Sequence, residues 1–235
     1  MHDFGPLVYL EMPKSGSSYV NEFLKKCCIL KEIKHHKHVP VKKDYDANSF
    51  YFITIRNPLA SYSSLYRYGL DQRGGFYKLI RKNDKTSCYE SFDSFVQFLL
   101  DPHNASFFGK VNPLPGYSES IAEQIGFMSY RFMKLSLRFP MSKMRNSLKT
   151  GKKLIELERK FITDLEIKNE ELNQGLRLLA TEKFPEYFDR ISVQKFLENT
   201  NKINTSKTLA SDLAPLPETT YSKLLDREAM LFSRY

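Results

Sequence analysis

The sequence predicts an α/β fold, a central parallel sheet flanked by helices. Three observations lead there. Leu7 to Met12 is a short, mostly apolar run that Pro13-Lys14-Ser15-Gly16-Ser17-Ser18 interrupts before helical periodicity sets in. Phe50 to Ile55 is a second such run, rich in aromatic and β-branched residues, and a helix-start signal follows it directly. Both segments therefore read strand, loop, helix, the unit from which parallel sheets are wound.

The elements follow in order. Val20, Phe23, Leu24, Cys27 and Cys28 recur at i, i+3, i+4, i+7 and i+8, which is one face of a helix entered from the glycine loop. After the second strand, Asn57 suits an N-cap and Pro58 the first helical position, so a helix is expected from there to about Tyr68. Gly69 and Gly74-Gly75 are read as its exit. Further helices are expected at 91–100, 119–138, 148–160 and from about Glu170 to Thr181. Thr163 to Lys168 is a third strand candidate, and the chain from Pro215 reads as a loop and a helix ending near Tyr235. No internal repeat or low-complexity linker divides the chain, so residues 1–235 are expected to form one domain.

Composition narrows the function class. The 235 residues are 41% hydrophobic, enough for a core and against wholesale disorder. Lys and Arg number 36 against 27 Asp and Glu, a net +9, which favours anionic partners: nucleotides, nucleic acid, acidic glycans or a membrane surface. No run of 18 apolar residues exists to span a membrane. MHDFGPLVYLEMPK lacks the pattern of a signal peptide. Cys27, Cys28 and Cys88 are odd in number and lack metal-ligand spacing, so neither a disulfide framework nor a zinc site is expected, and a reducing, cytoplasmic setting is. Asn104-Ala-Ser and Asn204-Thr-Ser match the glycosylation sequon, a pattern frequent by chance.

A loop of small residues entering a helix points backbone N–H groups at one spot, where the helix dipole adds positive potential. Gly16 permits close approach of an anion, Lys14 supplies a mobile charge, and Ser17 and Ser18 supply hydroxyls. The simpler reading is a surface turn with an N-capping serine. A Walker A loop is excluded, because its lysine follows the second glycine whereas Lys14 precedes Gly16, so ATP or GTP hydrolysis is disfavoured. Arg56 ends the second strand beside a helix N-terminus, where its forked guanidinium suits a phosphate. Ser64 lies about two turns into that helix, on the face near Ser61. The alternative is an arginine capping the sheet edge and a serine facing solvent.

Taken together, the two segments resemble the sulfotransferase family. PKSGSSYV is similar to that family's 5′-phosphosulfate-binding loop, commonly written PKSGTTW, with Ser17 and Ser18 in place of the threonines and Tyr19 in place of the tryptophan. Arg56-Asn57-Pro58 with Ser64 eight residues on resembles its 3′-phosphate-binding element, RxxxxxxxS. GFMSYR at 126–131 looks like a helix segment of bacterial and glycan-type members, whereas the RKGxxGxWK element of the cytosolic enzymes is missing. The resemblance implies a P-loop-like sulfotransferase fold, 3′-phosphoadenosine 5′-phosphosulfate (PAPS) as sulfuryl donor and adenosine 3′,5′-bisphosphate (PAP) as product. It further implies cofactor binding by Lys14, Ser15, Gly16, Ser17, Ser18, Arg56 and Ser64, with Lys14 also catalytic.

His35, His36 and His38 crowd the segment before the second strand. Metal binding is one reading, but no Cys or carboxylate constellation accompanies them and the neighbouring lysines repel a cation, so no metal is expected. A solvated basic loop is another. The resemblance implies a third: a His-x-Pro sequence similar to KTHLPL places the general base at His38, with His35 and His36 as alternatives. A neutral imidazole suits removal of an acceptor proton near pH 7.

The acceptor expected first is a carbohydrate hydroxyl, on the glycan-type similarity and on the basic stretch Arg131 to Lys160, which would favour an anionic saccharide. The accepting group is a hydroxyl or an amine, and a phenol or another small alcohol is the alternative acceptor. Two further classes, a P-loop nucleotide kinase and a non-catalytic nucleic-acid binder, lack a Walker A loop and a recognisable nucleic-acid motif respectively.

Overall fold

The structure is a computed structural model that describes residues 1–41, 45–109, 116–138, 159–199 and 213–235. Two compact units emerge. The first contains residues 1–56, 135–138 and the described part of 160–205; the second contains 57–134 and the described part of 206–235, together with Arg159.

The first unit carries a five-stranded sheet. Its strands are β1 (His2–Asp3), β2 (Leu7–Leu10), β3 (Lys34–His35), β4 (Phe50–Ile55) and β5 (Leu165–Lys168), in the order β3-β1-β2-β4-β5. β2, β4 and β5 are parallel, with Leu7 opposite Phe50 and Phe52 opposite Leu165. The expectation of a parallel sheet needs correction at one edge, because β1 pairs antiparallel with both β2 and β3. The physical reason is the tight return at Gly5 (φ +85°), which folds the first residues back along β2. All of Leu7–Leu10 is buried, so a continuous apolar run reads correctly as an interior strand.

α1 (Ser17–Cys27) buries Val20, Phe23, Leu24 and Cys27, the periodic face. Cys28 lies just past it, its N–H bonded to the Leu24 carbonyl. These residues share a core with Tyr9 and Phe52 from the sheet and with Leu176, Val193 and Leu197 from two later helices.

The second unit is helical. α2 (Pro58–Leu70) is capped by Asn57, whose side chain accepts from the Ala60 N–H, and α3 spans Gly74–Lys82. The exit falls between the glycines, α2 ending at Leu70 and α3 beginning at Gly74. Gly69 is inside α2 because the Tyr89 ring lies where a Cβ would be, and Gly74 (φ +87°) opens α3 beneath Tyr68. α4 (Phe92–Leu100) follows Ser91 as N-cap, and α5 covers Ala105–Gly109. The single helix expected at 119–138 is two, α6 (Glu119–Ala122) and α7 (Phe127–Ser136). The break lies at Gly126, whose N–H bonds the Arg227 carbonyl at 2.6 Å.

The start of α7 is held by a buried carboxylate. Glu228 Oε1 accepts from the Tyr62 hydroxyl (2.7 Å) and the Met128 N–H (2.8 Å), while Oε2 accepts from the Ser129 N–H (2.7 Å). Any side chain at 126 would collide with Glu228, since a Cβ there would lie 2.4 Å from its Oε1. Burial nevertheless pushes the Glu228 carboxyl above its usual range.

Among the described residues, the remaining α-helices are α8 (Leu172–Leu178) and α9 (Arg190–Glu198) in the first unit, then α10 (Glu218–Arg227) and α11 (Ala229–Phe232) in the second. Residues 148–158 of the helix expected at 148–160 lie outside the described residues, as do Asn204-Thr205-Ser206. Among the described residues, no helix is long and apolar enough to cross a membrane.

Candidate active site

The C-terminal ends of the parallel strands β2 and β4 build the site. β2 leads through Glu11 and Met12 into the loop Pro13–Gly16. Lys14 takes a left-handed conformation (φ 68°), as does Gly16 (φ 87°), which is the N-cap of α1. No side chain caps this helix start and no acidic residue lies in its first turn, the arrangement that suits an anion. A Cβ at Gly16 would lie 2.6 Å from both Asn169 Nδ2 and Leu172 Cδ1, so the chain is pressed close here and only glycine fits.

Ser15 works from behind the loop. Its buried hydroxyl donates to the Met12 carbonyl at 2.8 Å and lies 2.8 Å from Thr54 Oγ1. With that proton committed, Thr54 donates to Ser15, and the Tyr9 hydroxyl donates to Thr54 at 2.7 Å. Two strands and the loop are thereby joined by one buried chain of hydroxyls. Ser17 is half-buried and Ser18 exposed at the first two positions of α1.

Arg56 follows the last residue of β4 and donates to the Lys14 carbonyl at 3.3 Å. A cation-bearing fork and the glycine loop, far apart in sequence, thus meet at one sheet edge.

Beside them stands a carboxylate that the sequence reading passed over. Glu11 is 1% exposed, and its Oε1 accepts from Asn21 at 3.2 Å. Its Oε2 lies 3.8 Å from His38 Nδ1 and 3.8 Å from His35 Nε2. Burial pushes the Glu11 carboxyl up, but His38, Asn21, the Met1 amine and His2 together outweigh it and leave the group below its ordinary value of 4.5. His38 also bonds the main chain of the same residue, Nδ1 to Glu11 O at 2.9 Å. A carbonyl only accepts, so Nδ1 carries the proton and the neutral ring's lone pair is on Nε2. His36, by contrast, is exposed. A glutamate ending an otherwise apolar strand was the available signal, since a buried charge demands a partner.

The sequence comparison agrees with this geometry: a family model described as the sulfotransferase family matches residues 1–227. The chain belongs to the sulfotransferase family. No curated protein and no solved structure matches it significantly.

The other expected positions divide. Ser64 is in the second unit, buried on α2. One turn before it, the buried Ser61 Oγ has no hydrogen-bond partner among the described residues. Tyr19, in place of the family's tryptophan, donates its hydroxyl to Asn173 at 2.6 Å and packs its ring on Phe196. The basic stretch is not one exposed stripe. Arg131 and Lys134 are buried, Arg131 lies 4.4 Å over the Phe127 ring, and Arg138 lies 4.4 Å over that of Tyr45. Lys143, Arg145, Lys149, Lys152 and Lys153 lie outside the described residues.

A different histidine group, His2, Glu32 and His35, gathers its ligand atoms within 4.8 Å. The two imidazoles are stacked, 4.0 Å apart with planes 19° from parallel. An ion about 2.0–2.1 Å from each nitrogen cannot lie in both ring planes in this arrangement. His2 Nδ1 instead donates to Glu32 at 2.6 Å.

Proposed function

We propose that this sulfotransferase moves a sulfuryl group from PAPS to a hydroxyl or amine of an acceptor, with a carbohydrate as the first candidate. One observation carries the reading: Arg56 is bonded to the Pro13–Gly16 loop at the C-terminal edge of adjacent parallel strands. The close backbone at Gly16 and the uncapped, non-acidic start of α1 fit a phosphosulfate. We read this as a P-loop-like arrangement, and the family match running through both units supports one domain over 1–235.

PAPS would supply an activated sulfuryl group whose S–O bond to the 5′-phosphate breaks as the bond to the acceptor oxygen or nitrogen forms. Lys14 and the N–H groups at Gly16, Ser17 and Ser18 stabilise the charge left on that phosphate, a single such donor contributing about 10²–10³ in rate. Arg56 holds the 3′-phosphate; Ser64 joins it on the motif spacing alone. His38 takes the acceptor proton on Nε2, help worth about 10²–10⁴. No step in this scheme calls on a metal. Burial of Arg131 and Lys134 removes two charges from the argument for an anionic saccharide, so the carbohydrate assignment rests on the family resemblance. The thiols of Cys27, Cys28 and Cys88, all unbridged, are in keeping with a cytoplasmic setting.

Calorimetry with PAP and AMP tests the donor. PAP is expected to bind much more tightly, and equal affinities would overturn the assignment. Transfer of labelled sulfate from PAPS to a panel of saccharides, phenols and amines tests the acceptor.

A further inference from the structure

We infer that Glu11 positions and charges the His38 base, its main-chain oxygen orienting the ring and its carboxylate stabilising the imidazolium formed when the acceptor proton arrives. The inference rests on the proposed role of His38 and adds a residue that neither the family match nor the motifs assign.

Two contacts from one residue make the case. The Glu11 carbonyl holds Nδ1–H at 2.9 Å, which aims Nε2 away from the strand end and selects the tautomer that a base requires. The Glu11 carboxylate oxygen 3.8 Å from the same Nδ1 is buried and makes no hydrogen bond among the described residues. A carboxylate so placed gains most when the ring beside it becomes positive. Asn21 from α1 fixes the other oxygen, so the group cannot swing out to solvent without losing that contact.

The charged and titratable groups around Glu11 come from every neighbouring element. Among the described residues they include His38 after β3, His35 on β3, His2 on β1, the Met1 amine and, on β2 itself, Tyr9. All but Tyr9 are cationic only when protonated; burial lowers the Met1 amine to about 6 and lowers His2, which is bonded to Glu32, so neither competes strongly with His38 for the Glu11 carboxylate. His35 lies near the same oxygen, but its ring is half exposed and stacked on His2. His38, tied twice to Glu11, is the ring held in one orientation.

The proton balance is simple. The acceptor O–H bond breaks and its electrons form the new bond to sulfur, the proton goes to Nε2 of His38, and Glu11 stays ionised throughout. A buried carboxylate that remains charged lowers the cost of the imidazolium without taking the proton itself.

The test uses the full chain and Glu11→Gln, which keeps the shape and a partner for Asn21. In the wild type, ¹⁵N NMR of the imidazoles is expected to show His38 protonated at Nδ1; the opposite tautomer overturns the inference without any activity assay. In Glu11→Gln, kcat is expected to fall about tenfold or more, with PAP affinity unchanged. The acid limb of the kcat/KM profile moves to lower pH by about one unit, because the neutral ring no longer has an anion favouring its protonation. Glu11→Asp restores part of both. A purely structural glutamate would lower stability and leave the pH limb in place, which overturns the inference. Retained turnover in His38→Ala overturns instead the proposed role of His38, and the two failures are thus told apart. If Glu11→Gln does not fold, the wild-type tautomer measurement decides alone.

Discussion

Arg56 donates to the main-chain oxygen of Lys14 at 3.3 Å, so the residue that follows the second parallel strand helps hold the loop that follows the first. In the proposed reading the same guanidinium also meets the 3′-phosphate. Arg56→Ala should therefore weaken PAP binding on the order of ten- to a hundredfold, the worth of a charge-assisted bond of about 1.5–3 kcal/mol. AMP binding should change far less. Arg56→Lys should recover only part, because the ammonium lacks the fork. Calorimetry on the three proteins with both nucleotides decides the matter.

Ser15 predicts a stability effect where Ser17 predicts a binding effect. Ser15→Ala strips the Met12 carbonyl of its donor and leaves the buried Thr54 proton without its acceptor. The expected cost is about 1–3 kcal/mol, read as a lowered midpoint in denaturant. Ser17→Ala, at a half-buried helix start, should leave the midpoint nearly unchanged and reduce PAP affinity. The reverse pattern would mean that the roles of the two serines are exchanged.

Glu11 predicts an acid dependence. Its folded pKa is depressed below 4.5, so ionisation favours the folded state above that value and the benefit is lost as pH falls through the depressed pKa. Glu11→Gln should thus be less stable than wild type at pH 7, and the gap should close in the acid range below 4.5. Melting curves of both proteins from pH 7 to 3.5 read this directly. A gap that widens in acid contradicts the sign.

Glu228 carries the second unit's prediction. Truncation to alanine leaves the Tyr62 hydroxyl and the N–H groups of Met128 and Ser129 buried without their acceptor. At about 1–3 kcal/mol for each orphaned donor, a loss of at least 3 kcal/mol is expected by chemical denaturation. Arg131, buried nearby and partly sustained in its charge by Glu228, loses that support as well. A change within about 0.5 kcal/mol would show that the α7 start has another cap.

What could be read from the sequence was local. The strand at 50–55, the Asn57 cap, the periodic face of α1 and the glycine loop each announce themselves within a dozen residues. The two-residue strands β1 and β3 were not legible, since they are too short for any period and exist only through their pairing. The glycines at 69 and 74 bracket the exit as read, but the reason for each is tertiary: Tyr89 and Tyr68 fill the space of their side chains. α9 was missed although Asp189 caps it and Val193 and Leu197 recur on one face. At the candidate site, the loop and Arg56 were proposed from motifs and His38 from its proline, and the structure brings Arg56 to the loop. Glu11 was not, because its meaning lies in which histidines the fold brings to it.

Gly16 has one more consequence. Its neighbours Asn169 and Leu172 follow β5, and Tyr19 of the adjoining helix is bonded to Asn173, 154 residues away. The Pro13–Gly16 loop is therefore shaped at its back by the far half of the chain. A fragment ending before β5 would carry the whole PKSGSS sequence and still lack the wall that moulds it. For the same reason, substitutions between 169 and 173 should alter donor affinity at a distance from any phosphate, and selection for a new nucleotide would find some of its answers there.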